Sequence, residues 1–141
     1  MKVSVDDSAA LGGASLKPYA LVAFELTEDG QADLGAEKGV YLELGVAPGV
    51  AGDRASVAFP IKLGFSAKDY YEFGGEDGKF GYFSVGGIVT VPINSNWNVH
   101  GGGELQVFGD RLRTLNGFGS EDGDEPRRAT GIASIGIGFS F

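Results

Sequence analysis

Residues 131–141 at the end of the chain read GIASIGIGFSF, and their pattern decides the fold. Every second residue, counted back from Phe141, is mostly large and apolar, while the residues between them are mostly small and weakly polar. Side chains of a β-strand point alternately to its two faces, so the stretch predicts an amphipathic strand. Its apolar face would carry Ala133, Ile135, Ile137, Phe139 and Phe141.

The same alternation recurs upstream in five other segments. They are residues 17–26, 39–47, 55–66, 79–93 and 97–109, and residues 2–6 form a weaker seventh candidate. No window shows a convincing helical period of 3.6 residues. We predict residues 110–118, DRLRTLNGF, as a loop or as additional strand pairing. The sequence therefore predicts an all-β, antiparallel fold.

The connections between the predicted strands alternate in length. Residues 47–54 and 93–98 are short and turn-like, whereas residues 27–39, 67–81 and 110–131 are long, acidic and rich in glycine. Short turns at one end and long loops at the other are typical of an up-and-down meander that closes into a transmembrane β-barrel. We expect residues 1–141 to form one such barrel domain, or the C-terminal portion of a larger barrel.

Composition excludes several classes of protein. The chain has 141 residues, 25 of them glycine, no cysteine and a formal net charge of −8. The absence of cysteine rules out disulfides and thiolate metal sites, and the acidic balance argues against nucleic acid as a partner. The opening MKVSVDDS lacks the apolar region of a signal peptide. It leaves open a cytoplasmic protein or a mature or trimmed chain.

The two faces of the predicted strands decide between a membrane barrel and a soluble one. The polar face holds few charges and much glycine, alanine and serine, whereas a soluble exterior is dense in charge. We therefore expect lipid-facing apolar side chains at Val57, Phe59, Ile61, Val89, Val91, Leu105, Ile135 and Ile137. We expect Glu43, Lys62, His100 and Glu104 to face inward. Aromatic residues near strand ends would form interfacial girdles: Tyr19, Tyr70, Tyr71, Phe73, Phe80, Tyr82, Trp97, Phe139 and Phe141.

The last strand resembles the assembly signal of bacterial outer-membrane proteins, an amphipathic strand that ends in phenylalanine. The matching positions are Ile135, Ile137, Phe139 and Phe141. Residues 17–141 are similar in pattern to the C-terminal part of porin-like proteobacterial proteins of unassigned role. The resemblance implies the outer membrane of a Gram-negative bacterium, with the lipid bilayer, small solutes and the outer-membrane assembly machinery as partners. It implies no catalytic residues.

The strand count departs from that pattern. Bacterial single-chain barrels have an even number of strands, eight or more, and only six or seven are predicted here. Three arrangements would resolve the difference: an additional strand within residues 110–118, a longer barrel of which this chain is a part, or closure by a homo-oligomer.

Five polar side chains are candidates for the lumen. Glu25, Glu43, Lys62, Glu104 and Gln106 would project to the polar side and form a selectivity element. Alternatively, they would form a network of ion pairs that fills a narrow barrel.

A single histidine is the candidate for catalysis. If His100 is a general base, a hydroxyl from Ser84, Thr90, Thr130 or Ser134 would lie on a neighbouring strand. The protein would then be a barrel hydrolase that cleaves a small acyl ester or lactone. The alternative is that His100 is an ordinary polar residue of the lumen.

An acidic loop is the candidate metal site. Glu121, Asp122, Asp124 and Glu125 would supply oxygen ligands for Ca²⁺, although the full calcium-loop spacing is absent. The alternative is a solvated acidic loop with no cofactor.

We thus predict a porin-like barrel that passes or binds small solutes. The alternatives are a Ca²⁺-dependent hydrolase and a soluble barrel that binds an apolar ligand.

Overall fold

The computed structural model describes residues 1–7, 14–26, 38–73, 76–117 and 127–140. The acidic residues Glu121, Asp122, Asp124 and Glu125, together with Phe141, lie outside this part of the chain. The described part contains twelve strands and one helix. In chain order they are β1 (Lys2–Ser4), β2 (Ala14–Ser15), β3 (Tyr19–Phe24), β4 (Val40–Val46), β5 (Gly49–Ala51), β6 (Ser56–Ala58), β7 (Ile61–Lys68), β8 (Glu72–Phe73), β9 (Glu76–Asp77), β10 (Phe80–Pro92), β11 (Trp97–Phe108), α1 (Asp110–Gly117) and β12 (Ala129–Phe139).

Three long strands are each interrupted by a proline. Pro18 separates β2 from β3, Pro48 separates β4 from β5, and Pro60 separates β6 from β7. Proline has no N–H to donate to a ladder, but its carbonyl still accepts. The Phe59 N–H donates to the Pro48 oxygen at 2.8 Å, and the Gly86 N–H donates to the Pro60 oxygen at 2.8 Å. The sheet therefore continues across the row of prolines.

The ten strands other than β8 and β9 form one antiparallel sheet. With the interrupted strands joined, its order is β1, β2–β3, β4–β5, β6–β7, β10, β11 and β12, in which each strand neighbours the next along the chain. The predicted all-β antiparallel meander is thereby confirmed. Within the described residues, β1 pairs only with β3 and β12 only with β11. The sheet is open there, and closure into the predicted barrel is not part of this structure.

Two short turns lie near the predicted short connections, but residues 49–51 of the first one form the strand β5 and only residues 52–55 form the turn. At one end of the sheet, the Gly52 N–H donates to the Ala55 oxygen at 2.9 Å, and the Ile93 N–H donates to the Trp97 oxygen at 2.8 Å. The Asn94 side chain accepts from the Trp97 N–H at 3.0 Å and fixes the second turn. The three longer connections join strands at the opposite end of the sheet, which we call the loop end, and the end with the short turns is the turn end.

The prediction for residues 110–118, at the loop end, is wrong. Residues 110–118 are predicted as a loop or as additional strand pairing, but residues 110–117 form the helix α1. In its first turn the Arg113 N–H donates to the Gly109 oxygen at 2.9 Å. Two helical turns are too short for a periodic pattern to stand out, and such a helix depends on packing. It packs against β8, β10 and β11. Among the described residues, no helix is long and apolar enough to cross a membrane.

The two faces of the sheet differ in exposure. The apolar face is open: Ile135 is 86% and Ile137 is 68% exposed, and Phe59, Val89, Val91 and Leu105 are also exposed, with Val57 and Ile61 half-buried. The opposite face, which we call the polar face, holds Glu43, Lys62, His100 and Glu104, all half-buried. Among the described residues, the most buried large side chains are tyrosines, Tyr41 and Tyr71.

Candidate functional site

Three tyrosines converge on one carboxylate of the polar face. Tyr19 donates to Glu43 Oε1 at 2.7 Å, Tyr41 donates to Glu43 Oε2 at 2.6 Å, and Tyr82 donates to the same Oε2. The hydroxyls of Tyr41 and Tyr82 also lie 3.0 Å apart. We call these four residues the tyrosine–glutamate cluster. Hydrogen bonds from several donors favour the ionised form of a carboxylate, so the cluster holds a negative charge at the centre of this face.

Glycines make room for these rings. In the register of the sheet, Tyr82 pairs with Gly64, which pairs with Glu43 on the next strand. A Cβ on Gly64 would lie 2.4 Å from the Tyr82 ring, and a Cβ on Gly45 would lie 2.3 Å from the Tyr19 ring. A ring can therefore lie across the neighbouring strand only where that strand carries no side chain. This explains part of the high glycine content.

A second polar group lies beside the tyrosine–glutamate cluster. Lys62 Nζ lies 2.6 Å from Glu104 Oε2, and Gln106 Nε2 donates to Glu104 Oε1 at 2.8 Å. The Ser84 side chain lies between them and is fully buried. Its hydroxyl faces Glu104, but among the described residues no partner lies at good hydrogen-bonding geometry. We call the ion pair of Lys62 and Glu104, together with the neutral Gln106 that donates to it, the charged triad.

Four of the five predicted lumen residues thus come together on the polar face. The fifth, Glu25, follows β3 at the loop end, where its Oε2 accepts the Gly39 N–H at 2.6 Å. A Cβ on Gly39 would lie 2.5 Å from Glu25 Oε2 and 2.7 Å from Tyr70 Cα. Glycine at this position therefore permits the close approach of the Glu25 carboxylate to Tyr70.

A cavity of about 450 Å³ opens at this end of the polar face. Burial raises the pKa of Tyr70 above its ordinary value, and the nearby Glu25 charge raises it further. Burial also raises the pKa of Tyr71. The sequence predicts these two tyrosines only as girdle residues, although their position just beyond the end of β7 could have placed them at the loop end. The cavity is lined by Glu25, Tyr41, Tyr70, Tyr71, Tyr82, Gln106, Phe108 and Leu112.

His100 lies apart from both groups. Its register partners are Thr90 on β10 and Gly136 on β12, and its ring lies over Gly136, where a Cβ would be 2.5 Å from Nε2. Ser84 pairs instead with Gln106, six residues farther along β11, which is about 20 Å. Among the described residues, no side-chain hydrogen bond of His100 is found. Of the predicted hydroxyl partners, Thr90 lies opposite His100, and Ser134 lies two positions from Gly136 on the same face, whereas Ser84 and Thr130 lie far along the strands.

The predicted calcium ligands, residues 121–125, lie outside the described residues. Within the part that is described, no group of three or more histidine, aspartate or glutamate side chains is placed to hold a metal ion. The candidate site of this protein is therefore made of the tyrosine–glutamate cluster, the charged triad and the cavity at the loop end.

These features are the basis for a functional inference, because similarity offers none. No family model, no curated protein and no solved structure matches this chain.

Proposed function

We propose that the protein is a porin-like β-barrel of the bacterial outer membrane that binds or passes small solutes. The observation that carries this proposal is the inverted exposure of the sheet. Aliphatic side chains such as Val89 and Ile135 are exposed, while Glu43, Lys62 and Glu104 are half-buried on the other face. Membrane barrels have this arrangement, with apolar side chains toward lipid and polar ones toward the lumen.

A soluble barrel that binds an apolar ligand would have the reverse arrangement. Its apolar side chains would fill the interior, and its charged ones would face water. Contiguous apolar surface on a soluble monomer is normally limited to a few hundred Å². Here the exposed apolar positions extend from β6–β7 through β10 and β11 to β12, which favours contact with lipid.

Aromatic side chains at the turn end also fit a membrane interface. Trp97 and Phe139 are register partners, their ring centroids lie 4.8 Å apart, and they are 46% and 54% exposed. Aromatic residues at strand ends form the girdles of outer-membrane barrels. This pair would mark the boundary between lipid and water on the side of the short turns.

Closure requires strands beyond those of the described sheet. A meander of seven strands places β1 and β12 parallel to each other, and lipid does not tolerate their unpaired edges. We therefore propose that further strands, from a second copy or from a longer chain, complete the barrel.

The polar face favours small solutes over large ones. The tyrosine–glutamate cluster and the charged triad together reach from β3 to β11. In a narrow barrel, side chains of this size occupy most of the lumen. The cavity at the loop end remains as the space in which a small solute would be held.

Insertion into lipid vesicles tests the proposal. Ile135→Lys places a charge on the apolar face of β12, and Ser134→Lys places the same charge on the adjacent polar-face position. We expect Ile135→Lys to weaken folding into vesicles by about 2–4 kcal/mol, the cost of a cation facing lipid, and Ser134→Lys to cost much less. Folding is followed by the fluorescence of Trp97, the only tryptophan. Equal behaviour of the two variants, or a wild-type protein that stays out of vesicles, would contradict the proposal.

A further inference from the structure

We infer that the cavity at the loop end binds a small organic cation of the quaternary or methylated ammonium class. This inference rests on the proposed role in solute handling and names the solute. Four tyrosines, Tyr41, Tyr70, Tyr71 and Tyr82, line the cavity together with the carboxylate-bearing Glu25. Its volume of about 450 Å³ lies within the range of small-molecule sites.

The Tyr71 ring stands at a steep angle to the two rings packed against it. The ring centroids of Tyr70 and Tyr71 lie 5.1 Å apart with an angle of 81° between the rings, and those of Tyr41 and Tyr71 lie 6.4 Å apart at 84°. Tyr41 and Tyr70 are closer, at 4.9 Å, with an angle of 37° between the rings. The faces of aromatic rings carry negative electrostatic potential, and several rings together form the cages that recognise quaternary ammonium groups.

Three polar side chains of the cavity, those of Tyr41, Tyr82 and Gln106, are already engaged, which disfavours a neutral polyol such as a sugar. Tyr41 and Tyr82 both donate their hydroxyl protons to Glu43, and the Gln106 amide donates to Glu104. A sugar needs free donors and acceptors to fix its hydroxyls. The ring faces remain, and they favour a ligand that is apolar in surface and positive in charge.

Charge favours a cation as well. None of the lining residues in the described part of the chain is lysine, arginine or histidine, and Glu25 supplies a carboxylate. The Gly39 N–H holds this carboxylate beside Tyr70. The whole chain carries a net charge of −8, which attracts cations and repels anions.

Calorimetry with choline and 3,3-dimethyl-1-butanol tests the inference. The second compound has the shape of choline but no charge. With the protein folded in vesicles or detergent, we expect choline to bind at least tenfold more tightly than its neutral analogue, because both the ring faces and Glu25 respond to charge.

Variants identify the groups responsible. Glu25→Gln keeps the size of the side chain and removes its charge, and we expect it to weaken choline binding roughly tenfold with little effect on the neutral analogue. Tyr70→Leu removes a ring face and should weaken binding roughly threefold to tenfold, and Tyr70→Phe should restore most of the loss. Gly131→Ala serves as the control, because a Cβ there meets nothing within 4 Å.

Two results would overturn the inference: equal affinity for choline and its neutral analogue, or no binding of choline by protein that has folded. Circular dichroism of each variant confirms the fold. Flotation of the same samples with vesicles separates the two proposals. Protein that inserts into vesicles but does not bind choline contradicts only the ligand assignment. Protein that binds choline but does not associate with lipid supports the ligand assignment and contradicts the membrane role.

Discussion

Lys62 on β7 and Glu104 on β11 form an ion pair at 2.6 Å although β10 lies between their strands. Strands of a sheet lie about 4.8 Å apart, so the two backbones are separated by roughly twice that distance. On β10, the residues below the pair are Ser84 and Gly86, which are the register partners of Lys62 and Glu104. Because both are small, the long side chains can meet above them. The pair thus connects three strands.

Removal of one partner should destabilise the fold. Lys62→Met keeps the length of the side chain but leaves the Glu104 carboxylate without its cation. Because the Lys62 and Glu104 side chains are only 27% and 18% exposed, we expect the free energy of unfolding to fall by about 2 kcal/mol. Urea titration of the folded protein, followed by Trp97 fluorescence, measures this change.

An exposed ion pair supplies the matched control. Lys68 Nζ lies 3.2 Å from Asp69 Oδ2, but the Lys68 side chain is 60% exposed. Exposed pairs are worth about 0–1 kcal/mol, so Lys68→Met should have a small effect. If the two methionine variants lose equal stability, the burial of the Lys62–Glu104 pair does not increase its contribution to the free energy of unfolding.

The glycines beneath the tyrosine rings should resist substitution. In Gly64→Ala, the new methyl group would lie 2.4 Å from the Tyr82 ring, and the ring would have to leave Glu43. Overpacking of this kind costs about 1–3 kcal/mol. Gly131→Ala adds the same methyl group where nothing lies within 4 Å, and should be neutral or slightly stabilising. Thermal unfolding of both variants decides the matter, and similar losses in the two would contradict the packing argument.

Much of the fold could be predicted because its signal is local. Most of residues 79–93 alternate between apolar and small or polar side chains, and the strand β10 occupies almost the whole segment. The same holds for β11 and β12. Pro18 and Pro60 lie within predicted strands and Pro48 lies in a predicted turn, but the sequence alone did not show that hydrogen bonds continue past them. That continuity depends on the register between strands.

The site could be predicted only in part. Alternation placed Glu43, Lys62 and Glu104 on one face. It did not predict the contact of Glu43 with Tyr82 or the ion pair of Lys62 with Glu104, because these join residues 39 and 42 positions apart. The meeting of Tyr82 with Glu43 depends on the register of β4, β7 and β10 and on Gly64 in the intervening strand. The helix α1 was missed for a similar reason: its Leu112 lines a cavity that exists only after folding.

A titration should reveal the turn before β3. Asp7 accepts the backbone N–H groups of Leu16 and Lys17 at 2.9 to 3.1 Å, and Lys17 has a positive φ of 46°. The hydrogen bond from Lys17 does most to hold the pKa of Asp7 below its ordinary value of 3.8. Because the pKa is lowered on folding, the stabilisation is present above the unfolded pKa and is lost as pH falls through the folded one.

Amide NMR shifts of Leu16 and Lys17 follow this titration. We expect a midpoint below 3.8, the ordinary value, and no such titration in Asp7→Asn, which has an uncharged acceptor. A midpoint at or above the ordinary value would show that these hydrogen bonds do not favour the ionised carboxylate.

Replacing the central carboxylate should cost more than removing any one of its donors. Glu43→Gln substitutes an amide nitrogen, which donates, for one of two oxygens that accept from Tyr19, Tyr41 and Tyr82. At least one hydroxyl then loses its acceptor or must reverse its direction, and an unsatisfied buried group costs about 1–3 kcal/mol. Tyr19→Phe removes one hydrogen bond and leaves Glu43 with two donors, for about 1 kcal/mol. Urea unfolding of the two variants should therefore rank Glu43→Gln as the less stable, and the reverse order would mean that Glu43 does not organise the tyrosine–glutamate cluster.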